Sequence, residues 1–448
     1  MRDNQYLDGV FRYLGYEIDP LRRRLSCRCA LDELQFCENI TFPTGDAWHE
    51  PAVAEAARLV FLLSAVSYYK TRAPLTIDLG VTAVTDAERL LLRQFYLDGL
   101  GEFSYRNALD LADLQIIGPR LDRAHPVPLR SVAGLPLLPF GGGVDSIVAT
   151  ELIKSTTTTR PALFIVNRPD DRFEAIERPA LTTGLPVLRA ERLIDEQVLH
   201  SRRLGFLNGH VPVTGIISTI AIMAAVLNGR DAVVMSNEWS ASIGTVRTKD
   251  RFINHQYSKS RAFEYGLRSV LAETFGDKLD YFSVLRPYTG LWIARQFATL
   301  PKYFADFRSC NRAFHIDPNQ RLTAWCGHCD KCCFIDLILA PYIDEPTLRG
   351  IFGGHEPLAD PARFRQFRTL LGLSPDAKPW ECVGDKKECR AAARLASMRA
   401  DRAGSSMIGS LLAELAGTSA DEPDAGELMH PVGDHFIPEK YAPPHLVV

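Results

Sequence analysis

The sequence predicts an α/β protein with a parallel-sheet core, an N-terminal α+β domain and a helical, cysteine-rich C-terminal region. Three observations lead to this prediction. From about residue 135, short apolar runs alternate with helical patterns, which is typical of parallel strands joined by helical crossovers. In residues 1 to about 45, apolar and polar positions alternate without such crossovers. After about residue 305, cysteines and charged residues become frequent.

The first region, residues 1–130, is predicted to hold antiparallel strands followed by helices. Alternating apolar and polar positions, as in LRRRLSCRCALDELQFCENITF, favour short antiparallel strands. Two later segments have helical spacing, PAVAEAARLVFLLSAVSYY from Pro51 and TDAERLLLRQFYLDGLGEF from Thr85. We therefore expect an α+β domain here.

The second region, residues 131–305, is predicted to be the α/β domain. A run of apolar residues at 214–227 is too short to span a bilayer and is expected to form a buried helix. Five shorter apolar runs are the expected parallel strands. They are LPLLPF (135–140), ALFIVN (162–167), PVLRAE (186–191), DAVVMS (231–236) and DYFSVL (280–285).

Two regions complete the chain. Residues 306–417 contain the segments PARFRQFRTLLGL and ECRAAARLASMRA, whose spacing predicts helices. Residues 418–448 are rich in proline and acidic residues, which favours an extended tail along the surface.

Composition excludes several classes of protein. The 448-residue chain carries 51 basic and 54 acidic residues, a net charge of −3, so no general attraction to nucleic acid or to a membrane surface is expected. The first residues are charged throughout and lack the apolar core of a signal peptide. The ten cysteines are clustered, as in proteins of a reducing compartment. We expect a cytoplasmic protein, and we infer no obligate protein partner.

A glycine loop follows the first predicted parallel strand. Gly141, Gly142 and Gly143 lead directly into the predicted helix VDSIVATELIK. Glycines let the backbone approach an anion closely, and the first amides of a helix present free N–H groups and the positive end of the helix dipole. The loop is therefore predicted to bind phosphate. A tight strand-to-helix turn with an Asp or Ser N-cap is the alternative.

The segment GGGVDS resembles the SGGxDS loop of the PP-loop ATP pyrophosphatases (adenine nucleotide alpha-hydrolase-like proteins), with Gly141 at the position of the usual Ser. The resemblance implies a PP-loop core in which Gly142, Gly143, Asp145 and Ser146 bind the pyrophosphate of ATP. It also implies that Asp145 lies near Mg²⁺. In that family, the attacking group displaces pyrophosphate from the α-phosphorus and leaves an adenylate.

The sequence CGHCDKCC, residues 326–333, contains two C-x-x-C steps. With Cys310 upstream, Cys326, Cys329 and Cys332 would complete a four-thiolate set suited to tetrahedral Zn²⁺. This arrangement is similar to the zinc site of the 7-cyano-7-deazaguanine synthases, which are also PP-loop enzymes. Buried free thiols are the alternative. Three other residues, which could replace one of the four ligands, are His315, His328 and Cys333.

The remaining cysteines carry less information. Cys27, Cys29 and Cys37 lie in strand-like sequence and are predicted to be core residues. For Cys382 and Cys389 the sequence predicts no role.

A polar block, residues 236–265, follows the predicted strand DAVVMS. In open α/β sheets, ligands bind beyond the carboxyl ends of the strands, so this block should face the same crevice as the glycine loop. An ordinary solvated loop is the alternative, but the aromatic and amide content of the block favours a site.

Taken together, the glycine loop, the SNEWSAS and NHQYSKS segments, the cysteine cluster and the proline-rich tail resemble the UDP-N-acetylmuramoyl-L-alanyl-L-glutamate epimerases of peptidoglycan synthesis. The resemblance implies ATP-dependent inversion of the terminal glutamate of UDP-MurNAc-L-Ala-L-Glu, with release of AMP and diphosphate. Activation as an acyl-adenylate would remove the negative charge that makes the α-proton barely acidic. The sequence leaves open which glutamate carboxylate is activated.

Inversion needs proton removal on one face of Cα and delivery on the other. Within the polar block, His255 and Lys259 are the predicted acid/base groups, and Glu238 is a third candidate, as a base or Mg²⁺ ligand. Arg247 and Lys249 are predicted to hold phosphate or a substrate carboxylate.

Three other functions remain open at this point. The first is a ligase like the 7-cyano-7-deazaguanine synthases, in which ammonia captures the adenylate. The second is a tRNA-thiolating or nucleic-acid-binding PP-loop protein, which the net charge disfavours. The third is a nucleotide-binding module without catalytic activity, suggested by the Gly141 difference.

Overall fold

The structure is a computed structural model that describes residues 6–248, 251–374, 379–417 and 424–446. Its strands are β1 (Val10–Asp19), β2 (Arg24–Leu31), β3 (Leu34–Thr41), β4 (Thr76–Asp78), β5 (Gln115–Ile117), β6 (Val132–Pro139), β7 (Ala162–Asn167), β8 (Val187–Leu193), β9 (Arg230–Met235), β10 (Val246–Arg247), β11 (Phe252–Ile253) and β12 (Asp280–Ser283). Its α-helices are α1 (Pro51–Ser64), α2 (Val66–Tyr69), α3 (Asp86–Leu97), α4 (Gly101–Arg106), α5 (Val144–Thr156), α6 (Glu174–Thr183), α7 (Glu196–Leu199), α8 (Val213–Leu227), α9 (Arg261–Phe275), α10 (Gly290–Ala298), α11 (Asp330–Leu339), α12 (Glu345–Ile351), α13 (Phe364–Leu370), α14 (Lys386–Ser397) and α15 (Ser406–Ala416).

A ten-stranded sheet in the order β12-β9-β6-β7-β8-β3-β2-β1-β4-β5 forms the centre of the protein. The first five strands in this order are the five predicted apolar runs, and each pairs in parallel with its neighbour. The α/β class and the parallel sheet are therefore confirmed. Helical crossovers between successive parallel strands place the carboxyl ends of these strands at one edge of the sheet.

The N-terminal strands extend the same sheet. As predicted, β1, β2 and β3 are antiparallel. The sequence does not predict that β3 also pairs antiparallel with β8, from Asn39↔Leu193 to Thr41↔Glu191. This pairing covers the edge of β8 that would otherwise expose unpaired backbone groups. Residues 1–130 and 131–305 therefore share one sheet.

The sheet has a separate hydrophobic core on each face. Neighbouring strand residues point to opposite faces, so Leu137 joins one core and Leu138 the other. The first core contains α1, α3, α8 and α9, while the second contains α5, α10 and the C-terminal helices. The predicted buried helix at 214–227 is α8, which packs against α1.

One stretch of the described chain, Pro51–Tyr69, is a helical segment long and apolar enough to cross a membrane by length and composition. In this structure, 89% of an 18-residue apolar stretch of this segment is buried inside the protein. The stretch comprises α1 and α2, and its apolar side chains belong to the first core.

The last part of the chain packs on the second core and then returns to the sheet. The first segment predicted as a helix contains α13, and the second overlaps α14, which begins two residues earlier, at Lys386. In the tail, Lys440 Nζ lies 2.9 Å from Asp231 Oδ2, and Tyr441 Oη donates to Asp231 Oδ1 over 2.7 Å. These contacts fix the tail at the start of β9, at the end of the strand opposite to the polar block.

Candidate functional site

A cleft with a cavity volume of about 280 Å³ lies at the carboxyl ends of β6 and β9. Three parts of the chain meet there: the glycine loop after β6, the polar block after β9, and segments of the C-terminal region. The residues lining it include Gly141, Gly143, Asp145, Ser146, Asn237, Glu238, Gln256, Lys259, Arg308, Ser309, Lys331 and Cys382. The cleft is where an open parallel sheet is expected to bind ligands.

The glycine loop makes a turn that requires glycine at one position. Gly142 has φ +74°, and a Cβ there would lie 2.3 Å from the Ala175 carbonyl oxygen. A Cβ on Gly143 would lie 2.8 Å from Ser309 Oγ, whereas one on Gly141 would meet nothing within 4 Å. The position at which the resemblance expects Ser therefore has room for that side chain.

The loop ends at the N-terminus of α5. Gly143 is the N-cap residue, and among the described residues no side chain caps the first turn. Ser146 Oγ donates to the Gly143 carbonyl over 3.0 Å, and Asp145 lines the cleft. First-turn amides without a capping side chain, at the positive end of a helix dipole, form a site for an anion.

The polar block is fixed by a buried ion pair. Arg286 lies 2.9 Å from Glu264, and both side chains are almost completely buried. The same guanidinium donates to the carbonyl of Glu238 over 3.0 Å and to the carbonyl of Lys259 over 2.6 Å. Arg286 thus connects the two polar segments that the sequence singles out. The Glu238 carboxylate accepts hydrogen bonds from Ser240 N and Ser240 Oγ, each over 2.6 Å.

Lys259 and Cys382 meet across the cleft. Lys259 Nζ lies 3.3 Å from Cys382 Sγ, and Lys331 Nζ donates to the Cys382 carbonyl. Burial alone would raise the pKa of the Cys382 thiol, but the Lys259 ammonium and a hydrogen bond with His255 outweigh it and lower that pKa to about 5. The nearby thiolate in turn raises the pKa of Lys259.

His255 lies on the other side of Cys382, within a cluster of titratable groups. Its Nδ1 donates to Glu102 Oε2 over 2.5 Å, and its ring centroid lies 4.4 Å from that of His210. Burial alone would lower the pKa of His255, but hydrogen bonds with Cys382 and Glu102 raise it to about 9. Burial and the neighbouring His255 lower the pKa of His210 to about 4. At neutral pH, His255 is therefore protonated and His210 is neutral.

The predicted phosphate-binding arginine lies elsewhere. Arg247 is exposed on the β10–β11 hairpin, where its guanidinium stacks 5.4 Å from the centre of the Phe252 ring. It is not among the residues that line the cleft, and its role stays a prediction. Lys249 lies outside the described residues.

The four cysteines predicted to bind zinc come together, with their sulfur atoms all within 4.8 Å of one another. Cys326 Sγ and Cys329 Sγ each lie 3.5 Å from Cys332 Sγ. Four thiolates around a tetrahedral Zn²⁺ at about 2.3 Å would be roughly 3.8 Å apart. The set therefore fits a closed, structural zinc site, with Cys329 at the N-cap of α11 and Cys332 in its first turn.

Several residues of the cleft and the cluster were not singled out from the sequence: Glu102, His210, Arg308, Lys331 and Cys382. Lys331 lies in the chain between Cys329 and Cys332, so the four-cysteine cluster holds it at the cleft. For Cys382 the local sequence, WECVG, holds one cysteine in an irregular segment. That pattern does not distinguish a reactive thiol from a buried one.

Family models and curated relatives match most of the chain, and both indicate the same family. The family model described as the MurL N-terminal domain matches residues 3–284, and the one described as the MurL C-terminal domain matches residues 306–425. No solved structure matches the chain.

Three curated relatives carry the name UDP-N-acetyl-alpha-D-muramoyl-L-alanyl-L-glutamate epimerase. The one from Xanthomonas oryzae pv. oryzae is 37% identical, over 78% of this chain and 76% of its own length. The Salinispora tropica protein is 37% identical over 92% of this chain and 89% of its own. The Micromonospora sp. protein is 36% identical over 97% of both chains.

Proposed function

Because the chain belongs to the MurL family, we propose that it inverts the terminal L-Glu of UDP-MurNAc-L-Ala-L-Glu at the expense of ATP. The observation that carries the ATP-dependent part is the cleft itself. The glycine loop lines the same space as Lys259 and Glu238, two of the proposed acid/base groups. A reaction that couples nucleotide cleavage to proton transfer needs this arrangement.

The glycine loop is the proposed binding site for the pyrophosphate of ATP. Its support is the glycine-only turn at Gly142 and the uncapped amides at the start of α5. The Asp145 carboxylate borders the cleft and is the proposed contact to Mg²⁺, which would neutralise phosphate charge. Arg308 borders the same cleft and supplies a cation for the nucleotide phosphates.

Activation of a carboxylate explains why an epimerase would use ATP. Removing the α-proton beside a free carboxylate places a second negative charge on the same small group. Attack of the α-carboxylate on the α-phosphorus releases diphosphate and forms an acyl-adenylate, which no longer carries that charge. The carbanion at Cα can then delocalise as an enolate, and deprotonation becomes feasible.

The proposed acid/base groups are His255 and Lys259, with Glu238 as the third candidate. Lys259 and Glu238 line the cleft, and His255 reaches it through its contact with Cys382. A cation at Lys259 would also stabilise the enolate oxygen that forms on deprotonation. Hydrolysis of the activated acyl group then returns a free carboxylate, so each cycle consumes ATP and is irreversible.

The proposed zinc site lies beside the cleft and has no part in the reaction itself. Four protein ligands close the coordination sphere, so the ion would serve to hold Cys310 against the 326–332 segment. Since Lys331 belongs to that segment and contacts the Cys382 carbonyl, zinc would indirectly position one wall of the cleft.

The function is tested by incubating the protein with ATP, Mg²⁺ and UDP-MurNAc-L-Ala-L-Glu in D₂O. We expect AMP, diphosphate and a D-Glu product with one deuterium at Cα, all detectable by mass spectrometry. A His255→Ala variant should still bind ATP but lose deuterium exchange at Cα.

Two results would contradict the proposal. If a preparation that binds ATP produces neither AMP nor exchange, the epimerase function is wrong. If AMP appears only when ammonia is supplied and an amide accumulates, the protein is a ligase of the 7-cyano-7-deazaguanine-synthase type.

A further inference from the structure

Cys382, His255 and Glu102 form a chain of side chains that opens on the cleft. Lys259 Nζ lies 3.3 Å from the Cys382 sulfur, His255 interacts with the same thiol, and His255 Nδ1 donates to Glu102 Oε2 over 2.5 Å. We propose that Cys382 is a nucleophile that takes the glutamyl group from the adenylate, so that the α-proton is removed from a thioester covalently bound to the enzyme. This inference rests on the proposed function.

The geometry is that of an activated nucleophile. Such sites hold a nucleophile beside a base, and a third group orients the base. Here the Glu102 carboxylate, which is buried, occupies Nδ1 of His255, and this leaves Nε2 as the ring nitrogen available to the thiol. The ring of Trp380 packs edge-on against His255 at 6.4 Å and lies two residues before Cys382. The loop that carries the thiol is thereby fixed over the imidazole.

The position of the thiol suits acyl transfer from a bound nucleotide. Cys382 and the glycine loop line the same cleft, and Lys259 Nζ lies 3.3 Å from the sulfur. The charged groups that face the thiol are Lys259, His255, Lys331 and Glu381. Three of these four favour the thiolate, and the pKa of about 5 agrees with a thiolate at neutral pH.

The step balances without an additional reactant. The thiolate attacks the acyl carbon of the adenylate, the C–S bond forms, the C–O bond to phosphate breaks, and AMP leaves as the dianion. Loss of the thiolate charge removes one of the interactions that keep His255 protonated, so the imidazole can release its proton to solvent and then act as a base. Water later hydrolyses the thioester and restores the carboxylate and the thiolate, with one proton returning to His255 and one passing to solvent.

A thioester also gives the proton transfer a longer-lived carrier. Departure of AMP removes the negatively charged phosphate from the acyl carbon, so the enolate forms next to fewer negative charges. The acyl group is then held between Cys382 and the groups that exchange its α-proton. The energy of ATP is kept in the thioester bond until hydrolysis.

The experiment compares the wild-type protein with Cys382→Ala under single-turnover conditions. Acid-quenched wild-type protein should carry an added mass equal to the substrate minus water. That mass should map to the peptide containing Cys382 and should be removed by hydroxylamine. Cys382→Ala should still release about one equivalent of diphosphate, which shows that it folds and forms the adenylate. Its AMP release and Cα deuterium exchange should fall by roughly 100-fold or more.

Cys37→Ser is the matched control, because Cys37 is a partly exposed thiol on β3 and does not line the cleft. It should retain the acyl adduct and the exchange rate. AMP release from Cys382→Ala at the wild-type rate would overturn the covalent step, as would an active wild-type protein that never carries the adduct. Absence of diphosphate and AMP from the wild type would instead mean that the proposed function itself is wrong.

Discussion

The two walls of the cleft are held in place by different means. The first wall consists of the glycine loop and the polar block, which directly follow β6 and β9 of the sheet and are fixed by backbone packing and by buried Arg286. The second wall contains Lys331, in the first turn of α11 beside the cysteine cluster, and Cys382, on an irregular segment whose carbonyl Lys331 contacts. Nucleotide binding should therefore depend on the sheet, while acyl chemistry should also depend on the cluster.

The largest effect should follow a change in the first wall. Gly142→Ala places a Cβ 2.3 Å from the Ala175 carbonyl, at a residue with φ +74°. Because the loop would have to move, we expect diphosphate release to fall by about 100-fold. Gly141→Ser is the matched control, since a Cβ at this position would meet nothing within 4 Å, and it should retain activity within about threefold. Equal losses in both variants would show that the loop does not depend on this turn.

The second wall should respond to loss of the metal site. Cys310→Ser removes one of the four thiolates of the cluster. We expect bound zinc, measured by atomic emission, to fall from about one ion per chain to near zero. The melting temperature should fall by roughly 5 °C or more, because metal binding contributes to folding.

The same variant separates the two walls. Binding of ATP to Cys310→Ser should stay close to that of the wild type, while deuterium exchange at Cα falls, because Lys331 and Cys382 lose their support. Cys333→Ser is the control for metal content. Cys333 follows Cys332 in the chain but is not one of the four converging thiols. Loss of ATP binding in parallel with exchange would mean that the walls are not independent.

A smaller effect concerns the charge on the second wall. Since the pKa of Cys382 is lowered to about 5, its thiol is protonated only below that pH, and alkylation by iodoacetamide should be half-maximal near pH 5. Burial raises the pKa of Cys37, so that thiol should react only in alkaline solution. Both sites can be followed by peptide mass spectrometry.

Lys259→Met sharpens this measurement, because it removes the cation closest to the sulfur. The pKa of Cys382 should rise by at least about one unit, which slows alkylation near pH 5 by about fivefold or more. An unchanged pH profile would show that Lys259 does not hold the thiolate.

The smallest effect should come from a site remote from both walls. Thr85 and Glu88 form a capping box at the start of α3. Thr85→Ala should lower the free energy of unfolding by about 1 kcal/mol, measured by urea denaturation, because one amide of the first turn loses its acceptor. The rates of AMP release and deuterium exchange should not change. A loss of activity would mean that α3 transmits strain to the cleft.

Much of the scaffold could be predicted because its signals are local. The apolar runs at 162–167 and 231–236 are β7 and β9, since a buried parallel strand needs continuous apolar residues whatever its neighbours are. The pairing of β3 with β8 could not be predicted, because it depends on which edge remains open after the crossovers form.

Within the cleft, too, local features could be predicted and contacts between distant segments could not. The glycine loop could be recognised because its amides, its turn and the helix after it are consecutive in the chain, so the sequence by itself determined the shape of the turn and the start of α5. The contact of Glu102 with His255 joins residues 153 positions apart, and that of Lys259 with Cys382 joins residues 123 positions apart. The lowered pKa of the Cys382 thiol depends on cations from distant segments, Lys259 and His255 among them. That packing is decided by the tertiary structure alone.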